Sequence, residues 1–277
     1  MKSFASKVAA ITGAGSGIGR ELAFELARRG SQLALSDVNA TSLAETAELC
    51  EQLGSSVSAA TLDVANREAV YQWADAVRQR HGKVNLIFNN AGVGLASTLE
   101  GVSYEDFEWI MGINFWGVVY GTKAFLPHLR ASSEGHVINI SSIFGILPAP
   151  ANGSYCAAKF AVRGFTEALR QELELTKAPV SATCVHPGGI KTNIARAARY
   201  SSNIGALGLD PLSSRRAFEK AFITSASSAA RTILSAVRRN QRRVLVGLDA
   251  CAIDFLVRLA PASSQRMMMA VAGRFAR

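Results

Sequence analysis

Val8-Ala9-Ala10-Ile11-Thr12-Gly13-Ala14-Gly15-Ser16-Gly17-Ile18-Gly19 is the stretch on which the fold turns. A short apolar run suited to a buried strand passes into a glycine-rich turn, and Gly19–Arg29 continues as an amphipathic helix. Glycines here permit positive φ and let a pyrophosphate approach backbone N–H groups at the positive end of a helix. The spacing of Gly13, Gly17 and Gly19 is G-x-x-x-G-x-G, which departs from the G-x-G-x-x-G dinucleotide fingerprint. A tight strand-to-helix turn with no ligand uses the same residues, so the turn needs context. The second strand supplies it by ending at Ser36-Asp37, about 20 residues on, where a carboxylate can bind an adenosine ribose. A turn or N-cap carboxylate is the plain alternative for Asp37. A 2′-phosphate would be repelled by Asp37, and no arginine stands at Ser16, Val38 or Asn39 to receive one. The expected cofactor is therefore NAD, with NADP second.

Outward from this unit, apolar runs alternate with helical patterns. Val8–Thr12, Gln32–Ser36, Val57–Leu62, Val84–Asn89, His136–Ser141, Val180–His186 and Arg243–Val246 read as seven strands. Gly19–Arg29, Leu43–Leu53, Arg67–Arg80 and Tyr155–Thr176 read as helices between them. Such alternation predicts an α/β, doubly wound parallel sheet of the Rossmann type, with about seven strands. Ligands of such sheets bind at the carboxyl ends of the strands. With no internal repeat or linker, residues 1–250 are expected to form one domain and residues 251–277 a C-terminal helical extension.

The chain has 277 residues, about half of them apolar, which suits an ordered domain with a large core. Four scattered cysteines form no C-x-x-C pair, so a reducing, cytoplasmic setting with buried thiols is expected, and no metal site. Neither a secretory h-region nor an apolar run of about 18 residues is present. From Ile190 onward 15 Lys and Arg stand against 4 Asp and Glu, whereas the preceding part has 15 against 17. This basic end suits a solvated face with oligomer contacts better than an anionic lipid surface, and without aromatic interleaving nucleic acid is not expected.

The chemistry concentrates between Ser142 and Lys159. Tyr155 and Lys159 lie at i and i+4, which places them on one helix face. An ammonium beside a phenol favours its ionised form, and tyrosine otherwise titrates near ~10. The Ser142 hydroxyl could bond whatever the phenol attacks. The expectation is a proton-transfer site in which Lys159 acidifies Tyr155.

Taken in order, these segments resemble the short-chain dehydrogenase/reductase family, in its one-domain branch, over Thr12 to Thr192. Thr12–Gly19 is similar to the family's glycine turn, Asp63-Val64 to its adenine-contacting pair, and Asn89-Asn90-Ala91-Gly92 to its N-N-A-G motif. Asn114 matches the active-site asparagine, Ser142 with Tyr155-x-x-x-Lys159 the catalytic set, and Pro187-Gly188 through Thr192 the P-G-x-x-x-T motif. The resemblance implies catalytic roles for Asn114, Ser142, Tyr155 and Lys159. It also implies cofactor contacts from Gly13, Ser16, Gly17, Ile18, Gly19, Asp37, Asp63, Val64, Asn89, Ala91, Gly92, Tyr155, Lys159, Pro187, Gly188, Ile190 and Thr192. Asn89 would support the cofactor position and the neighbouring strand. Asn114 would sit at a helix kink whose freed carbonyl holds a water linked to Lys159. A homodimer or homotetramer through the long helices is implied as well.

The expected activity is NAD(H)-dependent interconversion of a secondary alcohol and a ketone. An NADP(H)-dependent carbonyl reductase, an NAD-sensing regulator or scaffold, and nucleotide-sugar epimerase or dehydratase chemistry are the alternatives. Val93–Ala96 and Ile143–Pro148 are mostly apolar pocket candidates without an arginine clamp, which favours an uncharged, lipophilic substrate. Residues 188–224 read as a mobile substrate lid whose Arg196, Arg199, Arg215 and Arg216 face solvent. Ile253, Phe255, Leu256 and Leu259 form an apolar stripe that Pro261 breaks. Met267–Val271 resumes it, flanked by Arg266, Arg274 and Arg277. The stripe suits a helix that closes the pocket or packs on a second subunit, with peripheral membrane contact as the other reading.

Overall fold

A computed structural model describes the backbone of residues 1–275 and the side chains of residues 1–270. The side chains of Val271 and Arg274, and all of Arg277, lie outside the described residues. In chain order the first half comprises β1 (Val8–Thr12), α1 (Gly17–Ala27), β2 (Gln32–Asp37), α2 (Ala40–Gln52), β3 (Val57–Thr61), α3 (Arg67–His81) and β4 (Leu86–Asn89). A short β5 (Leu95–Ala96), α4 (Tyr104–Met111), a π-helical segment (Gly112–Trp116), α5 (Gly117–Ala131) and β6 (Gly135–Ile140) follow. The second half contains α6 (Gly153–Leu175), β7 (Val180–Pro187), β8 (Ile190–Lys191), α7 (Ile194–Ala197), β9 (Arg199–Tyr200), α8 (Pro211–Ala221) and β10 (Thr224–Ser225). It closes with α9 (Ala226–Arg238), β11 (Arg243–Val246), α10 (Leu248–Leu259) and α11 (Pro261–Phe275).

Seven strands pair in parallel in the order β11-β7-β6-β4-β1-β2-β3. The chain winds outward from β1 to β3, returns to lay β4 on the other side of β1, and continues to β11. This reversal opens a crevice above the carboxyl ends of β1 and β4, where doubly wound sheets bind ligands. Strand β1 is buried throughout, so its two faces feed two cores. Ala9 and Ile11 pack with Leu22 and Leu26 of α1 and Ile233 and Val237 of α9. Val8 and Ala10 pack against the layer holding Trp73 of α3, Phe125 of α5 and Leu173 of α6. Burial on both faces explains why these strands read as continuous apolar runs rather than alternating ones.

Two stretches gain detail. Residues 188–224, the expected lid, carry short elements of their own. Strand β9 pairs with β5, and Asn203 Oδ1 accepts from the Thr98 amide at 3.0 Å. The Arg199 guanidinium lies 3.6 Å from the Trp109 ring centroid and donates to Asp106 at 2.6 Å. Arg196 and Arg215 share Glu219, at 3.2 and 3.7 Å, and Arg216 is exposed. The C-terminal stripe also divides. Ile253 and Val257 pack with Ala250 against Ile143 and Ile146, while Phe255 and Leu259 stay 65% and 69% exposed. Pro261 breaks the pattern as expected: α10 ends at Leu259 and Pro261 opens α11, where its missing N–H is no loss in a first helical turn.

Candidate active site

A cavity of about 710 Å³ runs along the carboxyl ends of the strands from Asp37 to Phe222. Its cofactor end is built on backbone geometry. Gly13 and Gly17 sit at φ +65° and +54°, and a methyl group on Gly13 would come within 2.9 Å of Ala91 Cα. Ser16 precedes α1 with no side-chain cap, and the first turn of α1 holds no acid. That leaves a positive helix end facing the cavity, a cradle for phosphate. Asp37 ties this turn to β2, its Oδ2 accepting from the Gly15 amide at 2.8 Å and its Oδ1 from Asn39 at 2.9 Å. Val64 and Asp63 line the same wall, opposite Ala91 and Gly92. These residues fit a dinucleotide.

The chemical end assembles from β6, α6 and β7. Ser142 follows β6, its Oγ accepting from the Phe144 amide at 3.1 Å. One turn of α6 separates Tyr155 from Lys159, whose Nζ lies 5.6 Å from the phenol ring centroid. Lys159 Nζ donates to the Ile140 carbonyl at 3.1 Å. The Ser141 hydroxyl donates to the Lys159 carbonyl at 2.8 Å, which latches α6 to the end of β6 and fixes Tyr155 relative to Ser142. Thr192, Ile190, Pro187 and Gly188 complete the wall from β7 and β8.

Residues 7–203 match the profile of the short chain dehydrogenase family. The chain belongs to that family. It is 49% identical to the "Putative oxidoreductase SadH" of Mycobacterium tuberculosis, over 99% of this chain and 98% of that protein. It is 38% identical to human estradiol 17-beta-dehydrogenase 11, over 69% of this chain and 64% of that one. Among solved structures, a Burkholderia phymatum short chain dehydrogenase/reductase in complex with NAD superposes with a TM-score of 0.87. The two are 31% identical, with 96% of this chain and 97% of that one covered. An alcohol dehydrogenase from Thermococcus sibiricus complexed with 5-hydroxy-NADP gives 0.72 at 27% identity, covering 87% and 96%. The protein is an oxidoreductase of the short-chain dehydrogenase type.

Within this dehydrogenase three expected site residues stand behind the cavity wall instead of lining it. Asn89 is buried, its Nδ2 donating to Asn139 Oδ1 at 2.8 Å and Thr122 Oγ1 at 3.1 Å, so it joins β4 to β6 and α5. Gly19 packs so closely that a methyl group there would sit 2.1 Å from the Gly13 carbonyl. Asn114 is fully buried in the π-helical segment and bonds both backbone groups of Val93, accepting at 2.8 Å and donating at 2.9 Å. It therefore positions the strand-end loop that faces Lys159.

Three residues given no role by the sequence take part. Asn90 Nδ2 donates to the carbonyls of Thr12 at 2.9 Å and Gly13 at 3.2 Å, locking the glycine turn. The period of two along β4 carries the signal, because Asn89 facing the core turns Asn90 toward the loop. His186 donates from Nδ1 to the Ser142 carbonyl at 3.0 Å, and burial pushes its pKa down to about 4. Asp249 lines the cavity from α10, Oδ2 accepting from the Gly189 amide at 2.6 Å while the buried Oδ1 has no partner among the described residues.

The electrostatics correct one expectation. Burial pushes the Tyr155 phenol up to about 12, and the Ser142 hydrogen bond offsets only part of that. Burial also lowers Lys159, to about 8. Desolvation penalises both charged forms, so burial moves the phenol away from ionisation. Lys159 alone does not acidify it.

Proposed function

We propose that this dehydrogenase interconverts a secondary alcohol and a ketone with NAD(H), on an uncharged, lipophilic substrate. The observation that carries the reading is that Ser142, Tyr155 and Lys159 meet in the cavity that also holds the glycine turn and Asp37. A bound nicotinamide supplies or accepts the hydride. Gly13 to Ile18 would hold its pyrophosphate, Asp37 the adenosine ribose, Lys159 the nicotinamide ribose, and Ile190 and Thr192 the carboxamide end.

The side chains handle the oxygen and its proton. Ser142 donates a hydrogen bond to the substrate oxygen. Tyr155 gives its proton to that oxygen as the carbonyl is reduced, and recovers it when the alcohol is oxidised. Burial, which pushes the phenol's pKa up, favours the form that carries the proton to be delivered in the reducing direction. Asp37 at the ribose end supports NAD over NADP, because a 2′-phosphate there meets a carboxylate. No lid arginine lines the cavity, which supports an uncharged substrate.

Tyr155→Phe tests the reading, with secondary alcohols and ketones screened against NADH and NADPH in parallel. Turnover should fall at least a hundredfold while NADH binding stays within about threefold. Activity within tenfold of wild type would sink it. We also propose a homo-oligomer, supported by the outward aromatics Trp116 and Phe160 on the π-helical segment and α6, both partly exposed. Sedimentation equilibrium showing only monomer would remove that proposal. Peripheral membrane contact rests on exposed Phe255, Leu259 and Met269 beside Arg258 and Arg266. Failure to pellet with anionic vesicles at physiological salt would remove it.

A further inference from the structure

Beside the main cavity lies a second one of about 190 Å³, walled by the turn at 149–152, the 3-10 helical turn holding Ile204, helix α8 and Met268 of α11. The two cavities share Ala96, Phe144, Asn152, Tyr200, Phe218 and Ala221. The walls unique to the second are mostly apolar: Ala149, Pro150, Ala151, Leu209 and Ala217 carry no side-chain donor or acceptor, Met268 brings only a weakly accepting thioether, and Ser214 is the one hydroxyl. A hydrophilic ligand gains nothing there, and an apolar cavity of about 150 Å³ already takes a benzene-sized guest.

The junction is ordered by aromatic contacts that begin at the reacting residue. Phe144 packs edge-on to Tyr155, with ring centroids 6.2 Å apart, and edge-on to Phe218 of α8 at 6.3 Å. Phe144 therefore touches the phenol on one side and the lid helix on the other, and it lines both cavities. A substrate whose oxygen faces Tyr155 and Ser142 can send its apolar arm past Phe144 and Phe218 only if that arm is slender. Methionine at the far wall suits such an arm, since its unbranched side chain adapts to irregular neighbours.

We propose that this side chamber binds the distal end of an unbranched alkyl or acyl chain. The physiological substrate would then be a long-chain secondary alcohol or ketone, with its reacting carbon several bonds from the chain's end. This rests on the carbonyl chemistry proposed above and adds the substrate class.

The test is a series of methyl ketones from butan-2-one to tetradecan-2-one, with kcat/KM measured for wild type, Ala217→Phe and Met268→Ala. Burial of one methylene contributes ~0.8 kcal/mol, so wild type should gain roughly fourfold per added carbon until the chamber is full. Ala217→Phe fills the chamber. It should leave butan-2-one within twofold and remove most of the gain for the longest ketones. Met268→Ala widens the chamber and should move the plateau to longer chains, which covers the case in which the phenylalanine variant does not fold. In parallel, calorimetry with long-chain and short-chain tertiary alcohols, which cannot be oxidised, reads the chamber without turnover. Length-dependent binding that Ala217→Phe abolishes supports the chamber even if no ketone is reduced, and that outcome would instead overturn the carbonyl chemistry. A flat length profile, or one unchanged by both variants, overturns the chamber and leaves the chemistry standing.

Discussion

Gly121 and Asn89 illustrate how closely single residues are matched behind the site. A methyl group on Gly121 would sit 2.0 Å from Asn89 Oδ1, whose amide is already held by Asn139 and Thr122. Glycine inside a helix costs ~1 kcal/mol against alanine, and overpacking costs ~1–3 kcal/mol. With the obstacle a pinned amide, the overpacking cost should prevail. Gly121→Ala is expected to lose about 1 kcal/mol in urea unfolding. Gly164 of α6 has nothing within 4 Å of the corresponding position, so Gly164→Ala should gain ~0.5–1 kcal/mol. The same substitution thus has opposite signs at two glycines, and equal effects would refute the packing argument. At the phenol's neighbour, burial pushes the Lys159 ammonium down to about 8. NADH affinity, followed by fluorescence, should weaken as pH rises through that value, and Lys159→Met should flatten the profile. A wild-type profile flat from pH 7 to 9 would deny the lysine charge a part in binding.

Among the elements, α10 does most to connect the C-terminal extension to the chemistry. Its Ala250, Ile253 and Val257 cover the turn that follows Ser142. Asp254 fastens the helix to the sheet edge, bonding Arg243 of β11 at 2.5 Å and Arg258 at 2.9 Å. Burial pushes the Asp254 carboxyl upward, but the two guanidinium groups outweigh it and hold the group below its usual range. Removing the carboxylate leaves Arg243 largely buried without its partner. Asp254→Ala should cost ~1–3 kcal/mol of stability and speed hydrogen exchange in α10. Unchanged exchange there would show that the apolar contacts alone hold the helix. The π-helical segment before α5 is the second such element. An asparagine competes for backbone hydrogen bonds in a regular helix, and here the irregularity places Asn114 on the Val93 backbone.

For the whole molecule, the two histidines buried in the sheet set the acid limit. The Thr183 hydroxyl donates to the Gln241 carbonyl, so His136 Nε2 donates to Thr183 Oγ1 at 2.8 Å between β6 and β7, and burial lowers its pKa to about 3, as it lowers His186 to about 4. Unfolded histidine titrates near ~6.5, so between that value and the folded values the unfolded chain binds more protons. Stability is therefore complete above about 6.5 and is lost progressively as pH falls toward 4. Thermal unfolding from pH 7.5 to 4 should show the Tm falling from near 6.5, and His136→Gln should shallow the slope. A decline confined to the carboxylate range below about 4.5 would show that carboxylates dominate instead.

How much of this was legible depended on the range of the interactions. The seven strands were read to within about two residues of their bounds, because burial on both sheet faces writes continuous apolar runs into the chain. The glycine turn and the Tyr155–Lys159 pair are local geometry, so spacing was enough to find them. The expected support of the neighbouring strand by Asn89 is present in its bond to Asn139, whereas the turn of Asn90 toward the cleft depends on strand register against β1 and β6. The parallel sheet, the crevice and the residue types that meet there are all written in nearest-neighbour periodicity. The clamp of Asn203 on the loop at Ser97, the reach of Asp249 to Gly189 and the place of Met268 in a side-chamber wall emerge only on folding. Those contacts join segments far apart in the chain. Their partners are selected by packing of the whole fold, which no local pattern encodes.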